Sequence, residues 1–275
     1  MTDEDVRFIY GTAWKEEETK RLTNMALQAG FRAVDTANQR KHYFEAGVGE
    51  AVAEAFDEGI VSRDKLFIQT KFTYQRGQDH RLPYDPEAAY PKQVEQSFES
   101  SLEHLGVEFI DSYILHGPSQ RMGLGDADVQ VWEAMQDLQR SGKVGSIGVS
   151  NVTAGQLGLL VEQADIAPEW VQNRCFARAG WDEEVRRVCD ANGITYQGFS
   201  LLTANTRELS DDRVAELADR YDRTIPQLVF RFAIEVGMVP LTGTTDRQHM
   251  NQDLEVFDFE MDPDDVEMVE TLAAG

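Results

Sequence analysis

The chain has 275 residues, enough for one α/β barrel or two smaller domains. Its formal net charge of −23 at pH 7 argues against a nucleic-acid partner, because phosphates would be repelled over most of the surface. The sequence has neither a run of 18 apolar residues nor a basic-then-apolar N-terminal segment, which predicts a cytoplasmic protein without a membrane span. Cys175 and Cys189 lack CxxC spacing and a histidine cluster, so we expect reduced thiols.

The cationic residues are unevenly chosen, with 7 lysines against 19 arginines beside 49 acidic residues. Abundant acids with few lysines are typical of proteins from a high-salt cytoplasm. The alternative is an ordinary acidic enzyme.

Short apolar runs alternate with longer amphipathic segments along the chain. The apolar runs predict strands at 8–10, 33–34, 66–68, 109–116, 145–150, 170–171, 194–200 and 238–241. The amphipathic segments predict helices at 17–30, 44–59, 94–106, 126–141, 154–164, 183–191, 211–221, 225–236, from about 246, and at 263–272.

Eight strand–helix units without a linker predict a single-domain (β/α)8 barrel over residues 1–275. A doubly wound sheet is the competing fold. It normally carries a phosphate-binding signature after its first strand, and the segment 11–14, GTAW, is no GxGxxG. The long segment 73–91, with three prolines and three tyrosines, is expected to form a loop over the mouth of the barrel.

Candidate chemistry lies where predicted strands end, because barrels carry their active sites at the C-terminal ends of the strands. The second, third and fourth strands end at Asp35, Lys71 and His116, which brings an acid, an ammonium and an imidazole to one face. The segment 33–50 adds Arg40, Lys41, His42 and Tyr43, five to eight residues after Asp35. Any one of these side chains alone is more often a structural partner, whereas three adjacent strands that deliver them together indicate a functional site.

In several segments, in chain order, the sequence resembles the aldo-keto reductase family. The matching segments are 30–37 GFRAVDTA, 47–51 GVGEA, 67–72 FIQTKF, 111–118 DSYILHGP, 147–151 IGVSN, 171–173 VQN, 198–202 GFSLL and 239–244 VPLTGT. The resemblance implies an NAD(P)H-dependent reductase that transfers a hydride to an aldehyde, a ketone or a sugar-like carbonyl.

The same resemblance implies the catalytic roles. Asp35 and Lys71 would lower the pKa of a tyrosine that protonates the forming alkoxide, and His116 would orient the carbonyl. The family's tyrosine position, five residues after the aspartate, holds Arg40, which cannot donate a proton. The segment is two residues longer than usual, so we predict that it bulges and returns Tyr43 to the site, with His42 as the alternative donor.

For the cofactor, the resemblance places Ser150, Asn151 and Asn173 on the nicotinamide carboxamide and Phe199 on its ring. Ser200, the residue after Phe199, is also predicted to bind the cofactor. Gly243 and Thr244 would hold a phosphate at a helix start. Near the adenosine, His249 and Asp253 match family positions, and Arg247 is the nearby cation. NADP is the first expectation and NAD the alternative, since the lysine that often pairs with the 2′-phosphate is missing.

Trp14, Phe72, Tyr74 and Tyr84 are the candidates for the substrate wall. A nicotinamide-binding accessory or redox-sensing module with little turnover is the alternative to an enzyme. It would follow if Tyr43 did not reach Lys71 and His116. A metal-dependent hydrolase is disfavoured because the five histidines form no HxH or HExxH pattern, and no metal is expected. We expect a monomer.

Overall fold

The computed structural model describes residues 5–273, which contain eight parallel strands. The strands are β1 (Ile9–Gly11), β2 (Ala33–Asp35), β3 (Phe67–Phe72), β4 (Ile110–Leu115), β5 (Val144–Ser150), β6 (Trp170–Arg174), β7 (Thr195–Phe199) and β8 (Met238–Thr242). They close into a barrel in chain order, with β1 paired to β8, which confirms the predicted (β/α)8 fold. Residues 1–4 and 274–275 of the predicted domain 1–275 lie outside the described residues.

Within the described residues, ten α-helices accompany the strands. They are α1 (Thr19–Ala29), α2 (Glu45–Asp57), α3 (Tyr90–Leu105), α4 (Asp126–Arg140), α5 (Ala154–Gln163), α6 (Glu183–Asn192), α7 (Asp212–Tyr221), α8 (Ile225–Glu235), α9 (Arg247–Leu254) and α10 (Pro263–Glu270). None of these helices combines the length and the apolar character needed to cross a membrane.

Local sequence signals set several helix ends. Thr153 and Thr224 accept hydrogen bonds from the backbone N–H groups of Gln156 and Gln227, whose side chains bond back to the caps. These reciprocal bonds satisfy N–H groups that have no partner inside the helix. Gly106 ends α3 at a φ of 66°, which a residue without Cβ adopts at little cost. The predicted helices therefore begin and end within a few residues of the observed ones.

The inside of the barrel has an apolar floor beneath a polar layer. The floor consists of Val6, Ile9, Ala33, Phe67, Ile114, Trp170 and Val239. The close packing of the floor requires glycine at position 148, since a Cβ there would lie 2.5 Å from both Ile114 Cδ1 and the Trp170 carbonyl oxygen. Side chains alternate across a strand, so the next inward position after each floor residue also faces the interior. Those positions on β2, β3 and β6 are Asp35, Gln69 and Gln172. These side chains form a polar layer on the C-terminal side of the floor.

The long segment 73–91 lies beside the barrel mouth. Gln78 Nε2 donates to the Asn38 carbonyl oxygen at 2.8 Å, and Arg81 Nη2 donates to the Arg40 carbonyl oxygen at 3.2 Å. These bonds tie the segment to the chain that follows β2. None of its residues lines the central cavity described below. A loop over the mouth of the barrel therefore stays a prediction.

We predict that salt stabilises the folded state. At a net charge of −23 the folded chain repels itself, and salt screens this repulsion. The opposing loss of surface ion pairs is small, because such pairs contribute about 0–1 kcal/mol each. The midpoint temperature of unfolding should stay level or rise between 0.1 M and about 2 M KCl, as measured by circular dichroism. A steady decrease over that range would refute an acidic surface adapted to salt.

Candidate active site

Lys71 and Asp35 form a buried ion pair at the C-terminal ends of β2 and β3. Lys71 Nζ lies 2.5 Å from Asp35 Oδ1 and donates to the Thr36 carbonyl oxygen at 2.8 Å. Both residues are almost inaccessible, at 0% and 2% exposure. Burial lowers the pKa of Lys71, and the charge and hydrogen bond of Asp35 oppose that decrease. Asp35 therefore fixes the ammonium in place and favours its charged form.

Three glutamines support this pair from inside the barrel. Gln69 Nε2 and Gln172 Nε2 donate to Asp35 Oδ1 at 2.7 and 2.9 Å. Gln197 Oε1 accepts from both glutamines at 2.9 Å. The bonds join β2 to β6 and β3 to β7 across the interior, so they hold the carboxylate in one position. A buried ion pair needs such additional hydrogen bonds to offset its loss of hydration.

Tyr43 lies at the ion pair. Lys71 Nζ is 5.2 Å from the centroid of the Tyr43 ring. The centroid of the His116 ring is 5.9 Å from that of Tyr43, with an angle of 71° between the ring planes. The hydroxyl of Tyr43 has no hydrogen-bond partner among residues 5–273, so it is available to a ligand. The longer segment after β2 thus brings Tyr43 next to Lys71 and His116.

Arg40, at the family's tyrosine position, points elsewhere. Its guanidinium carbon lies 4.4 Å from the centroid of the Phe44 ring, and its Nη2 lies 3.6 Å from Glu17 Oε1. Arg40 does not line the central cavity, whereas Tyr43 and His42 do. The two residues that the sequence offered as proton donors are therefore the ones that face the cavity.

His116 follows β4 and is neutral at pH 7. Burial, the charge of Lys71 and the nearby His42 lower the pKa of His116 to about 3. Its backbone is fixed at both ends, since its N–H donates to the Phe72 carbonyl oxygen at 2.9 Å and its carbonyl oxygen accepts from Asn151 Nδ2 at 2.8 Å. A neutral imidazole has one N–H that can donate a hydrogen bond, and at this pKa it carries no second proton at pH 7.

The expected lowering of the tyrosine pKa by Lys71 is not found. Burial, followed by the charge of Asp35, raises the pKa of Tyr43 far above its ordinary value. The physical reason is that burial deprives a phenolate of water, an effect that exceeds the attraction of an ammonium 5.2 Å from the ring centroid. Tyr43 therefore stays protonated throughout the neutral range, which is the form that can donate a proton.

A cavity of about 690 Å³ opens at the C-terminal ends of the strands. Asp35, Tyr43 and His116 line one side of it. Of the residues predicted to bind the cofactor, those that line it are Ser150, Phe199, Ser200, Gly243 and Thr244. The structure thus gathers three of the four predicted catalytic residues and half of the predicted cofactor residues around one space, and Lys71 is paired with Asp35 at its wall.

Lys15 is a cavity residue that sequence reasoning missed. It is 7% exposed, and its Nζ donates to the Gly243 carbonyl oxygen at 2.6 Å. It forms no ion pair among residues 5–273. Burial lowers its pKa to about 8. A buried lysine without a carboxylate partner suits an anionic ligand. The available signal was its place in the loop after β1, at the face that carries barrel active sites.

Arg174, at the end of β6, is the second missed cation. Its side chain is exposed and lines the cavity, and its guanidinium carbon lies 5.7 Å from the centroid of the Phe199 ring. Lys15 and Arg174 thus give the cavity positive charge in a chain whose net charge is −23. Such a cavity attracts anions to one place on an otherwise repelling surface.

Gln172 occupies the place that was predicted for Asn173. Gln172 lines the cavity, and its carbonyl oxygen accepts from Ser150 Oγ at 2.6 Å. The Asn173 amide is instead bonded to the backbone of Val152 and to Asp182 Oδ2 at 2.8 Å. Neighbouring residues of a strand face opposite sides, so an offset of one residue exchanges inside and outside. Gln172 therefore faces the cavity in place of Asn173, and its Oε1 would make a contact with the carboxamide, since its Nε2 already donates to Asp35 and Gln197.

The remaining nicotinamide candidates lie at or beside the mouth. Asn151 adopts a φ of 55° and Ser200 one of 57°. The left-handed conformation of Ser200, directly after β7, turns the chain at the cavity edge, and Phe199 and Ser200 both line the cavity. Asn151 Nδ2 also donates to Ser150 Oγ at 3.0 Å. Binding of a cofactor by these residues stays a prediction.

The predicted adenosine residues do not line the cavity. Arg247 donates to the carbonyl oxygens of Met25 and Gln28, at the end of α1. His249 is exposed, and burial raises the pKa of Asp253 to about 6. Their part in cofactor binding therefore stays a prediction.

The start of α9 is already capped. Asp246 Oδ1 accepts from the N–H groups of Gln248 and His249 at 2.7 and 3.1 Å. These are the groups that a phosphate at the helix start would need. Binding of a phosphate by Gly243 and Thr244 stays a prediction. Both residues line the cavity, and the nearby positive charge comes from Lys15.

Of the four predicted substrate-wall residues, only Trp14 lines the cavity. Trp14 is 69% exposed, and its ring centroid lies 3.9 Å from that of His42. Phe72, Tyr74 and Tyr84 are buried and pack against one another, because they face the helices and not the barrel interior. The prediction for these three is corrected. Among the described residues, no group of three or more His, Cys, Asp or Glu is arranged to hold a metal ion.

The structure defines the protein as a (β/α)8 barrel in which a buried acid–ammonium pair, a phenol and an imidazole lie together at the C-terminal ends of the strands. A profile of the Aldo/keto reductase family matches residues 8–274, so the chain belongs to this family. An aldo-keto reductase of Mycobacterium avium is 31% identical over 94% of this chain and 83% of its own. A D-galacturonate reductase of Fragaria ananassa is 31% identical over 93% of this chain and 82% of its own.

Solved structures agree in fold. An aldo-keto reductase of Bombyx mori, solved in complex with NADP, superposes with a TM-score of 0.81 and 26% identity, over 97% of this chain and 88% of that one. An aldo-keto reductase from a deep-sea metagenome library gives a TM-score of 0.83 at 27% identity, over 97% and 91% of the two chains. The resemblance seen in the sequence is confirmed at the level of family and fold.

Proposed function

We propose that this protein is an NADPH-dependent reductase that converts aldehydes or ketones, sugar-like carbonyls among them, to alcohols, with Tyr43 as the general acid. The observation that carries the proposal is the position of Tyr43, whose ring lies 5.2 Å from Lys71 Nζ and 5.9 Å from the ring of His116. The altered spacing after Asp35 is the reason to consider a module without turnover, and these two distances support the enzyme instead.

The residues present suit a dinucleotide. For the phosphates the cavity offers Lys15, which has no carboxylate partner among residues 5–273. For the nicotinamide it offers Phe199, with the Ser150 hydroxyl and the Gln172 amide in the same cavity. The NADP in the Bombyx mori structure favours NADP(H) as the cofactor of this chain. When bound, the cofactor supplies the hydride.

The chain itself handles the proton and the orientation of the substrate. The neutral His116 donates a hydrogen bond to the carbonyl oxygen and holds it next to Tyr43. The Tyr43 hydroxyl then gives its proton to that oxygen as negative charge develops there, leaving a phenolate 5.2 Å from the Lys71 ammonium, measured from ring centroid to Nζ. Opposite charge nearby stabilises the phenolate most when it forms, which is where catalysis gains from it. Trp14 and His42 form part of the cavity wall at the mouth, next to the substrate.

The proposal is tested by a fluorescence titration with NADPH and with NADH, followed by turnover of 4-nitrobenzaldehyde. Tight binding of NADPH with turnover is the expected result. Tight binding without turnover would support the accessory or sensing module, and absence of binding to either nucleotide would refute both functions.

We predict that Lys15 makes cofactor affinity depend on pH. The ammonium is charged below its pKa of about 8 and loses its charge as the pH rises through that value, so its attraction to phosphate is lost on the alkaline side. A charge-assisted hydrogen bond contributes roughly 1.5–3 kcal/mol, so Kd for NADPH should increase about 10-fold between pH 7 and pH 9.5. Fluorescence titrations across this range measure the change.

The matched control is Lys15→Arg, whose guanidinium stays charged, so its affinity should vary little with pH. Lys15→Met should bind weakly at every pH in this range. An equal loss of affinity at high pH in the wild type and in Lys15→Arg would show that another group causes it.

A further inference from the structure

Thr73 contacts His116 from behind the catalytic face. It directly follows β3, is 5% exposed, and its Oγ1 lies 2.7 Å from His116 Nδ1. Its carbonyl oxygen accepts from the Tyr84 hydroxyl at 2.7 Å and from Gln78 Nε2 at 3.4 Å. The backbone of Thr73 is thus fixed by the flanking loop, and its hydroxyl faces the imidazole.

Counting donors decides which ring nitrogen carries the proton. Within residues 5–273, His116 Nδ1 is the hydroxyl's sole hydrogen-bond partner. If Nδ1 carried the proton, it would donate to Oγ1, and the proton of the buried hydroxyl would have no acceptor, at a cost of about 1–3 kcal/mol. If Nδ1 is bare, the hydroxyl donates to it and the ring proton is on Nε2. The second arrangement satisfies every donor on this side of the ring.

The other ring nitrogen then faces the substrate. His116 lines the central cavity next to Tyr43, and Nε2 has no protein partner among the described residues. The titratable groups that face the ring are Lys71 on β3 and His42 and Tyr43 on the segment before α2. Lys71 and His42 disfavour a second proton on the imidazole, and the Tyr43 hydroxyl supplies no negative charge that would favour one. The low pKa of His116 is consistent with these surroundings.

We propose that Thr73 is a positioning residue, whose hydroxyl donates to His116 Nδ1 and thereby fixes the Nε2–H tautomer that donates to the substrate carbonyl. The inference rests on the proposed reductase function. In this assignment His116 orients the carbonyl and Tyr43 donates the proton. A neutral imidazole does not act as an acid at pH 7, because loss of its Nε2 proton would leave an imidazolate. A ring held in the other tautomer would present a bare nitrogen, which repels the lone pairs of a carbonyl oxygen.

Two variants of Thr73 separate the hydroxyl from the shape. Thr73→Val replaces the hydroxyl with a methyl group, and Thr73→Ser keeps the hydroxyl. The matched control is Thr23→Val in α1, where a buried threonine hydroxyl has no hydrogen-bond partner. Thr23→Val makes the same chemical change far from the cavity, so the activity of this variant should equal that of the wild type.

The first readout needs no turnover. Two-bond ¹H–¹⁵N correlation spectra of histidine-labelled protein at pH 7 distinguish the Nε2–H from the Nδ1–H tautomer, and a His116→Gln sample assigns the signals. The wild type and Thr73→Ser should show the Nε2–H pattern for His116. Thr73→Val should show the Nδ1–H form or an exchanging mixture. A wild-type spectrum with Nδ1–H, or a Thr73→Val spectrum identical to that of the wild type, overturns the inference.

The second readout is kinetic. Thr73→Val should lower kcat/KM for 4-nitrobenzaldehyde about 10-fold, while Kd for NADPH is unchanged and Thr73→Ser stays within about 2-fold of the wild type. Equal kcat/KM in Thr73→Val and the wild type also overturns the inference. If Thr73→Val does not fold, the wild-type and Thr73→Ser spectra still decide the tautomer. Absence of turnover in a wild type that shows the Nε2–H pattern would instead refute the proposed function.

Discussion

Replacing Tyr43 with phenylalanine is expected to lower kcat by roughly 10²-fold or more, because the variant keeps the ring and loses the proton donor. Burial keeps this phenol protonated through the neutral range, so the wild-type donor is present at every working pH. The Tyr43 hydroxyl has no structural partner among residues 5–273, so removing it should change stability little. Single-turnover and steady-state rates with 4-nitrobenzaldehyde, together with Kd for NADPH, measure the effect, and Kd should stay near the wild-type value.

Tyr90→Phe is the matched control for Tyr43→Phe. Tyr90 lies at the start of α3 with 36% of its surface exposed, and removing its hydroxyl should not change kcat. Wild-type turnover in Tyr43→Phe would show that another group donates the proton. His42 is then the residue to test, since it lines the same cavity. A double variant that also carries His42→Gln would decide between His42 and water.

Lys71→Met is expected to reduce both stability and turnover. The change leaves the Asp35 carboxylate buried at 2% exposure without its cation, and breaking a buried pair in this way costs about 3–5 kcal/mol. Turnover should fall at every working pH, because the phenolate formed on Tyr43 loses the ammonium that stabilises it. Urea unfolding and steady-state rates at several pH values measure the two effects. Turnover equal to that of the wild type would remove Lys71 from the mechanism.

A second substitution separates stability from catalysis. Asp35→Asn combined with Lys71→Met removes the unpaired carboxylate, and the carboxamide oxygen can still accept from Gln69 and Gln172. The free energy of unfolding should recover most of the loss, while kcat should remain as low as in Lys71→Met. A double variant as unstable as Lys71→Met alone would mean that the packing of the lysine side chain, and not its charge, stabilises this layer.

Much of the fold was readable from local patterns. The alternation of short apolar runs with amphipathic segments predicted all eight strands and the helices between them, and β5 from Val144 to Ser150 differs from its prediction by one residue. β3 and β6 continue further than predicted, to Phe72 and Arg174. The reason is that their inward side chains turn polar near the C-terminal ends, so hydrophobicity no longer marks the strand there.

The site was readable only in part. Strand ends indicated Asp35, Lys71 and His116, and the structure brings these residues together, although their roles stay predictions. Asn173 was chosen where Gln172 faces the cavity, because a motif of three letters does not give the phase of the strand. Counting inward positions from Trp170 in the barrel floor gives that phase.

The sequence by itself determined the elements of this protein, their order and the ends at which chemistry could lie, because hydrophobic period and capping act over a few residues. Only the tertiary structure decided that a longer segment returns Tyr43 to Lys71, that Lys15 reaches Gly243, and that Thr73 bonds to His116. These contacts join residues 28, 228 and 43 positions apart. Their distances depend on how the barrel closes, and no local pattern contains that information.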